Sequence, residues 1–166
     1  MNLDNEHLRL AFDALTGSVR QITDLKTGTC HLGDPRGARL AKLIVPTPEH
    51  VSRPLYSHEA GSPEMSRAGD TLTMTFPELR YRGATTGVFL TVCVRLPDGS
   101  PEALFSATIR NESPHRVDEM WFPWLGGHHN VRGQAPYLVT TSKRAGVDIH
   151  AGLREAGKNT HTFGHH

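Results

Sequence analysis

The chain has 166 residues, of which 37% are hydrophobic and 21% are charged, and its formal net charge is +1. This size and composition are typical of one soluble globular domain, and folding would bury roughly 70% of the surface that the unfolded chain exposes. A net charge so close to zero provides no field that would draw the chain onto nucleic acid or an anionic membrane, so neither is an expected partner.

The N-terminal residues 1–6 contain no basic segment leading into an apolar run, and no stretch approaches the ~20 apolar residues of a membrane span. The chain as given is therefore predicted to be cytoplasmic, with secretion as the alternative if it belongs to a longer precursor. Cys30 and Cys93 are predicted to be structural free thiols, although a disulfide between them would suit an exported protein.

Alternation of apolar and polar residues predicts strands in the first half of the chain. Leu8, Leu10 and Phe12 alternate with polar residues over 6–13, and residues 18–25 are predicted to pair with them in a hairpin. Glycine is expected to adopt positive φ in the connecting turn at Gly17, and a second turn is predicted at 27–28. A short apolar run lies within 38–45, and the prolines spread over 46–63 predict a long loop.

The clearest alternation lies over residues 70–76 and 87–96. A turn is predicted at 97–101, because proline fixes φ and Asp-Gly tolerates the left-handed conformation. Residues 103–111 and 115–122 are predicted to continue as a β-meander.

Many short strands with almost no helical periodicity predict an all-β fold, an antiparallel β-sandwich with little helix. The sandwich is expected to be a single domain over 1–157. A flexible tail is expected over 158–166, and a weak helical turn is indicated at 152–158.

Three segments carry a resemblance to a known family. They are Glu6-His7-Leu8-Arg9-Leu10-Ala11-Phe12-Asp13, Ile22-Thr23-Asp24-Leu25-Lys26-Thr27-Gly28, and Ala107 to Ser113 leading to Trp121-Phe122-Pro123-Trp124-Leu125-Gly126-Gly127. They resemble the N-terminal β-supersandwich domains of large bacterial glycoside hydrolases, which are galactose-mutarotase-like in fold. Tyr137-Leu138-Val139 and Gly146 fit the same pattern.

The resemblance implies a sandwich that precedes a catalytic barrel, and such a barrel could not fit into this chain. The domains of that family are usually longer than 166 residues, so the chain is expected to be truncated or divergent. A shortened sheet would leave strand edges to be covered by a loop, a partner chain or a second copy.

The candidate acid and base residues do not form a recognisable catalytic pair. Glu78, Glu112 and Glu119 are each predicted to be solvated surface charges rather than the two carboxylates of a glycosidase. The alternative is a small aldose-epimerase-type enzyme, with His129 or His128 and Glu119 as general acid and base.

The 11 histidines suggest a metal site built from His128, His129, His161, His165 and His166. Their spacing argues against one, because neighbouring histidines on a strand point to opposite faces and the offsets of zinc motifs are missing. No metal and no cofactor are therefore expected, and His165-His166 could be a remnant of an expression tag.

Aromatic residues cluster at Trp121, Phe122 and Trp124, ahead of the polar residues His128, His129, Asn130 and Arg132. Aromatic rings stack on sugar rings, and imidazole, amide and guanidinium groups bond sugar hydroxyls. Carbohydrate binding is therefore predicted for Trp124, His128, His129, Asn130 and Arg132. The alternative is that Trp121 and Phe122 fill the core and the Gly-Gly segment is a turn.

Three functions follow from these observations. The first is a non-catalytic β-sandwich module of a carbohydrate-active enzyme, which supports a catalytic domain and holds glycan. The second is the small epimerase-type enzyme. The third is a structural or assembly protein whose edge strands pair with another subunit or with a copy of the chain.

Overall fold

The computed structural model describes residues 1–32 and 35–126, together with the backbone of the strands at 137–142 and 146–151. The described strands are β1 (Asn2–Asp4), β2 (Leu8–Phe12), β3 (Val19–Asp24), β4 (Thr29–Leu32), β5 (Lys42–Ile44), β6 (Pro54–Tyr56), β7 (Glu64–Ala68), β8 (Thr71–Thr75), β9 (Arg80–Tyr81), β10 (Ala84–Thr85), β11 (Val88–Arg95), β12 (Leu104–Asn111), β13 (Glu119–Trp121), β14 (Tyr137–Ser142) and β15 (Gly146–Ala151). Short 3-10 helices lie at Pro35–Gly37 and Ser57–Glu59. Among the described residues, no helix has the length and hydropathy that crossing a membrane requires.

The first sheet has the strand order β1-β2-β3-β4 and confirms the predicted hairpin of β2 with β3. In the connecting turn, Oδ1 of Asp13 accepts hydrogen bonds from the backbone N–H groups of Leu15 and Thr16, at 2.8 and 3.0 Å. Gly17 has φ +68° and Gly28 has φ +69°, a conformation that glycine adopts without steric cost. The local turn signals therefore specify both turns.

The second sheet has the order β12-β11-β8-β7, and all of its neighbouring strands are antiparallel. Val88, Leu90, Val92 and Val94 of β11 are buried, while Phe89, Thr91 and Cys93 are half-buried on the opposite face. This pattern confirms the alternation predicted for residues 87–96, because successive side chains of a strand point to opposite faces.

The third sheet has the order β13-β5-β6 and corrects two predictions. The long loop predicted over 46–63 contains the strand β6, which forms because Leu55 is buried opposite Leu43 of β5. The meander predicted through 115–122 ends at β12, because β13 pairs with β5 and not with β12. Only residues 119–121 of the predicted last strand are in strand conformation.

Side chains from the three sheets form one hydrophobic core, so the described part of the chain is an all-β, sandwich-like fold. The fully buried residues include Leu3 and Leu10 from the first sheet, Leu72 and Val92 from the second, and Leu43 from the third. Cys30 in β4 and Cys93 in β11 are half-buried free thiols, as predicted.

The chain divides into two compact units, residues 1–128 and residues 129–166. In the second unit, β14 and β15 form an antiparallel hairpin in which Tyr137 lies opposite Ala151 and Ser142 lies opposite Gly146. The helical turn predicted at 152–158 and the tail predicted at 158–166 lie outside the described residues.

Candidate functional site

The outer face of the third sheet brings together side chains that are far apart in the sequence. Trp121 of β13 lies opposite Lys42 of β5, and Lys42 lies opposite Tyr56 of β6. Residues directly opposite each other on antiparallel strands have Cβ atoms roughly 5 Å apart and point to the same face. The register therefore places an aromatic, a cationic and a second aromatic side chain side by side.

The rings on this face form a continuous series, here called the aromatic row: Trp121, Trp124, Tyr56 and His58. The ring centroids of Trp121 and Trp124 lie 6.2 Å apart with planes at 76°, and those of Trp124 and Tyr56 lie 5.9 Å apart at 33°. Tyr56 and His58 follow at 5.4 Å. These separations are within the range of favourable aromatic pairs, so each ring helps to orient the next.

Trp124 reaches the row because its segment returns to β5. Its backbone N–H donates a 2.7 Å hydrogen bond to the carbonyl of Leu40, just before β5 begins. Leu40 is fully buried, so this bond ties the tryptophan segment to the core. The backbone of the row is thus held by the third sheet at Trp121 and Tyr56, and by this added hydrogen bond at Trp124.

Two cations lie against the tryptophans. Nζ of Lys42 is 4.0 Å from the ring centroid of Trp121, and Cζ of Arg39 is 5.9 Å from that of Trp124. At the edge of the same ring, the indole Nε1–H of Trp121 donates a 3.2 Å hydrogen bond to Oε2 of Glu119. Cations at these distances are attracted to the ring faces, and they add charged hydrogen-bond donors to the surface.

His58 at the end of the row is held in its neutral form. Burial is the main reason that its pKa lies below the ordinary value of 6.5, the positive charge of Arg39 is the second, and Glu59 acts in the opposite direction. Its Nδ1 is buried and forms no hydrogen bond with any described residue. Since the charged imidazolium is disfavoured in the folded state, His58 links the stability of this sheet to pH.

We expect the free energy of unfolding to fall as pH is lowered from 6.5 towards the folded pKa of His58. The unfolded chain binds a proton at His58 more readily than the folded chain over this range, so acid favours unfolding. Urea denaturation at pH 7.5, 6.5, 5.5 and 5.0 measures the slope of the free energy of unfolding against pH. His58→Gln should make the free energy of unfolding less dependent on pH over this range. Identical slopes for the wild type and His58→Gln would contradict the role assigned to His58.

The three residues of the predicted aromatic cluster lie in different surroundings. Trp121 is 39% exposed, so the alternative that it fills the core is wrong. Phe122 packs against the core and meets Phe105 edge-on, with ring centroids 6.3 Å apart. Trp124 is half-buried within the aromatic row. The other predicted sugar-binding residues, His128, His129, Asn130 and Arg132, lie outside the described residues.

Five residues of this surface were not among the predicted site residues: Arg39, Lys42, Tyr56, His58 and Trp121, the last of which was noted only as part of the aromatic cluster. Lys42 and Tyr56 belong to strands of three residues, in which a polar side chain on the outer face leaves no recognisable period. Tyr56 and His58 also fall within the segment predicted as a loop. The alternation of Lys42 with the buried Ala41 and Leu43 was the available signal that residue 42 faces outward.

The glutamates predicted to be surface charges have distinct partners. Glu112 is exposed and pairs with Arg110, and Glu119 is exposed and bonds the indole of Trp121. Glu78 is instead half-buried, because its Oε1 accepts a hydrogen bond from the backbone N–H of Gly87. That bond connects the segment after β8 to the start of β11, so Glu78 has a structural role that the sequence did not suggest.

A metal site finds no support in the described part of the chain, where no three histidine, cysteine or carboxylate side chains are grouped suitably to hold an ion. The histidines considered for such a site, His128, His129, His161, His165 and His166, all lie outside the described residues.

Comparisons of this chain with models of known protein families and with curated protein sequences find no match.

Proposed function

We propose that this chain is a non-catalytic β-sandwich module of a carbohydrate-active enzyme, and that it binds glycan on the outer face of β13-β5-β6. The observation that carries the proposal is the aromatic row on a solvent-facing sheet. Trp121, a large apolar side chain whose exposure to water is unfavourable, is 39% exposed there.

The chemistry of the row suits a sugar. The C–H faces of a pyranose are apolar and pack on an aromatic ring, while its hydroxyls need hydrogen-bond partners at the rim. Trp121 and Trp124 supply the rings, which meet edge-on at an interplanar angle of 76°. Lys42 and Glu119 supply a donor and an acceptor beside Trp121.

In this proposal, the carboxylate beside the exposed tryptophan has a binding role rather than a catalytic one. General acid–base catalysis requires groups within hydrogen-bond reach of the transferred proton. Glu119, the carboxylate closest to the row's exposed tryptophan, is engaged with the indole N–H of Trp121 at 3.2 Å. In the proposed role, the catalytic groups belong to the domain that this module supports, and the row holds the substrate nearby.

Titration calorimetry with a panel of mono- and oligosaccharides tests the proposal. The wild type should bind at least one glycan, and Trp121→Ala should weaken that binding at least tenfold, or about 1.4 kcal/mol. Trp121→Tyr keeps an aromatic ring and should recover part of the affinity. Trp121 is exposed, so these variants should remain folded, as circular dichroism would verify.

The matched control is Phe89→Ala. Phe89 lies on the outer face of the second sheet with Cζ of Arg110 3.8 Å from its ring centroid, so it is an aromatic–cation pair away from the row. This variant should bind like the wild type. Failure of the wild type to bind any glycan on the panel would contradict the proposal. NMR would also contradict it if the chain interconverts the anomers of a sugar and Glu119→Gln abolishes that activity.

A further inference from the structure

Lys42 and Arg39, the two cations of the aromatic row, lack the ion pairs that four arginines of the described surface form. Arg20 pairs with Asp13, Arg95 with Asp70, and both Arg110 and Arg116 pair with carboxylates close to them in sequence. Across residues 1–32 and 35–126, no carboxylate forms an ion pair with Lys42 or Arg39. The row therefore carries two cations that are not directly paired with any described carboxylate.

Two carboxylates border the row and contact its rings rather than its cations. Glu119 accepts the hydrogen bond from the indole of Trp121, and Oε1 of Glu59 lies 3.9 Å from Nε2 of His58. The charge of Arg39 extends to His58, where it helps to hold the imidazole neutral. An anionic ligand can therefore meet either cation without breaking an ion pair among the described residues.

Arg39 is oriented by the protein. Its Nη1 donates hydrogen bonds to the carbonyls of Ala38 and Arg36, at 2.6 and 3.3 Å. Its Nε and Nη2 form no hydrogen bond with any described residue. A guanidinium edge with Nε and Nη2 free is the geometry that binds a planar carboxylate through two parallel hydrogen bonds.

We propose that the ligand of this surface is an acidic oligosaccharide or polysaccharide built from uronic acids. The inference rests on the proposed function and specifies its substrate class. A sugar ring stacks on the face of Trp121 opposite Lys42, the carboxylate of a neighbouring uronic acid binds the free edge of Arg39, and Lys42 interacts with the anion as a point charge. A neutral glycan would use the rings and leave both cations without a partner.

The test compares three ligands of equal length by calorimetry: an oligouronate, the same oligosaccharide after reduction of its carboxyl groups to alcohols, and a sulfated neutral oligosaccharide. The wild type should bind the oligouronate at least tenfold more tightly than the carboxyl-reduced form. Affinity for the oligouronate should fall as salt is raised, because exposed charges are screened. The sulfated ligand should bind more weakly than the oligouronate, since sulfate lacks the planar carboxylate.

Variants locate the effect. Lys42→Gln and Arg39→Gln should each reduce the preference for the oligouronate over the carboxyl-reduced ligand several-fold. Arg39→Lys keeps the positive charge but lacks the two-donor edge. Its preference for the oligouronate should lie between that of the wild type and that of Arg39→Gln. Arg116→Gln changes an exposed, paired arginine outside the row and should have no effect.

The outcomes separate this inference from the proposed function. Equal affinity for the oligouronate and its carboxyl-reduced form would overturn the acidic substrate class and leave glycan binding intact. Tighter binding of the sulfated ligand would overturn the carboxylate assignment. Absence of binding to all three ligands and to the neutral panel would overturn both proposals.

Discussion

Replacing Gly17 by alanine is expected to lower the free energy of unfolding by about 2–5 kcal/mol, from two added costs. Gly17 has φ +68°, where an L side chain is strained. A Cβ at this position would lie 2.6 Å from Cζ and 2.9 Å from Cε1 of Phe76. Phe76 is buried and cannot move away freely, so the clash displaces either the turn or the ring. Chemical denaturation of the purified variant measures the loss.

Gly28→Ala is the matched control, because it separates the two costs. Gly28 has φ +69° in the next turn of the same sheet, and a Cβ there would have no neighbour within 4 Å. The Gly28→Ala variant should therefore lose only the free energy of unfolding that positive φ costs an alanine, about 1–2 kcal/mol. A loss for Gly17→Ala equal to that for Gly28→Ala would show that Phe76 accommodates the methyl group, and the packing described for this turn would be incorrect.

Leu43→Ala should lower the free energy of unfolding by about 3 kcal/mol, within the range of about 2–5 for buried leucines. Leu43 is 0% exposed and occupies the middle of the third sheet, opposite Met120 of β13 and Leu55 of β6. The side chain lost is the one that anchors the central strand beneath Lys42 and the aromatic row. The total stability of a domain of this size is about 5–15 kcal/mol, so this loss is a large part of it. For a chain of this length, 1 kcal/mol corresponds to about 2–4 °C, and the melting temperature should therefore fall by roughly 6–12 °C.

Leu15→Ala provides the comparison for this variant. Leu15 is 71% exposed in the turn after β2, so its truncation should change stability by no more than about 0.5 kcal/mol. Differential scanning calorimetry of both variants compares the two leucines directly. A small effect of Leu43→Ala would mean that the third sheet does not pack on the common core, and the support assigned to the aromatic row would fail with it.

The aromatic row shows how much of the candidate site could be predicted. Trp124 was identified from the sequence, because tryptophans close together in a polar, glycine-rich segment stand out without any knowledge of the fold. Its partners Tyr56 and Arg39 come from segments 68 and 85 residues earlier in the chain, the differences between residue numbers 124, 56 and 39. No local pattern connects such residues, since their proximity depends on which strands pair.

The sequence by itself determined the all-β class, the long strands and the turns between them. β8, β11 and β12 contain five, eight and eight residues, enough to show a period of two, and Gly17, Gly28 and Gly99 mark turns that require positive φ. These are local properties, set by the geometry of an extended chain and by the freedom of glycine.

The tertiary structure alone decided the third sheet and the surface built on it. β5, β6 and β13 contain three residues each, too few to reveal a period, and they form strands because Leu43, Leu55 and Met120 meet beneath them. Distant segments pair because the pairing buries these side chains in a shared core. That burial depends on residues far apart in the chain, so the strand propensity of a single segment does not reveal it. The row of rings and unpaired cations on the opposite face is a consequence of that pairing.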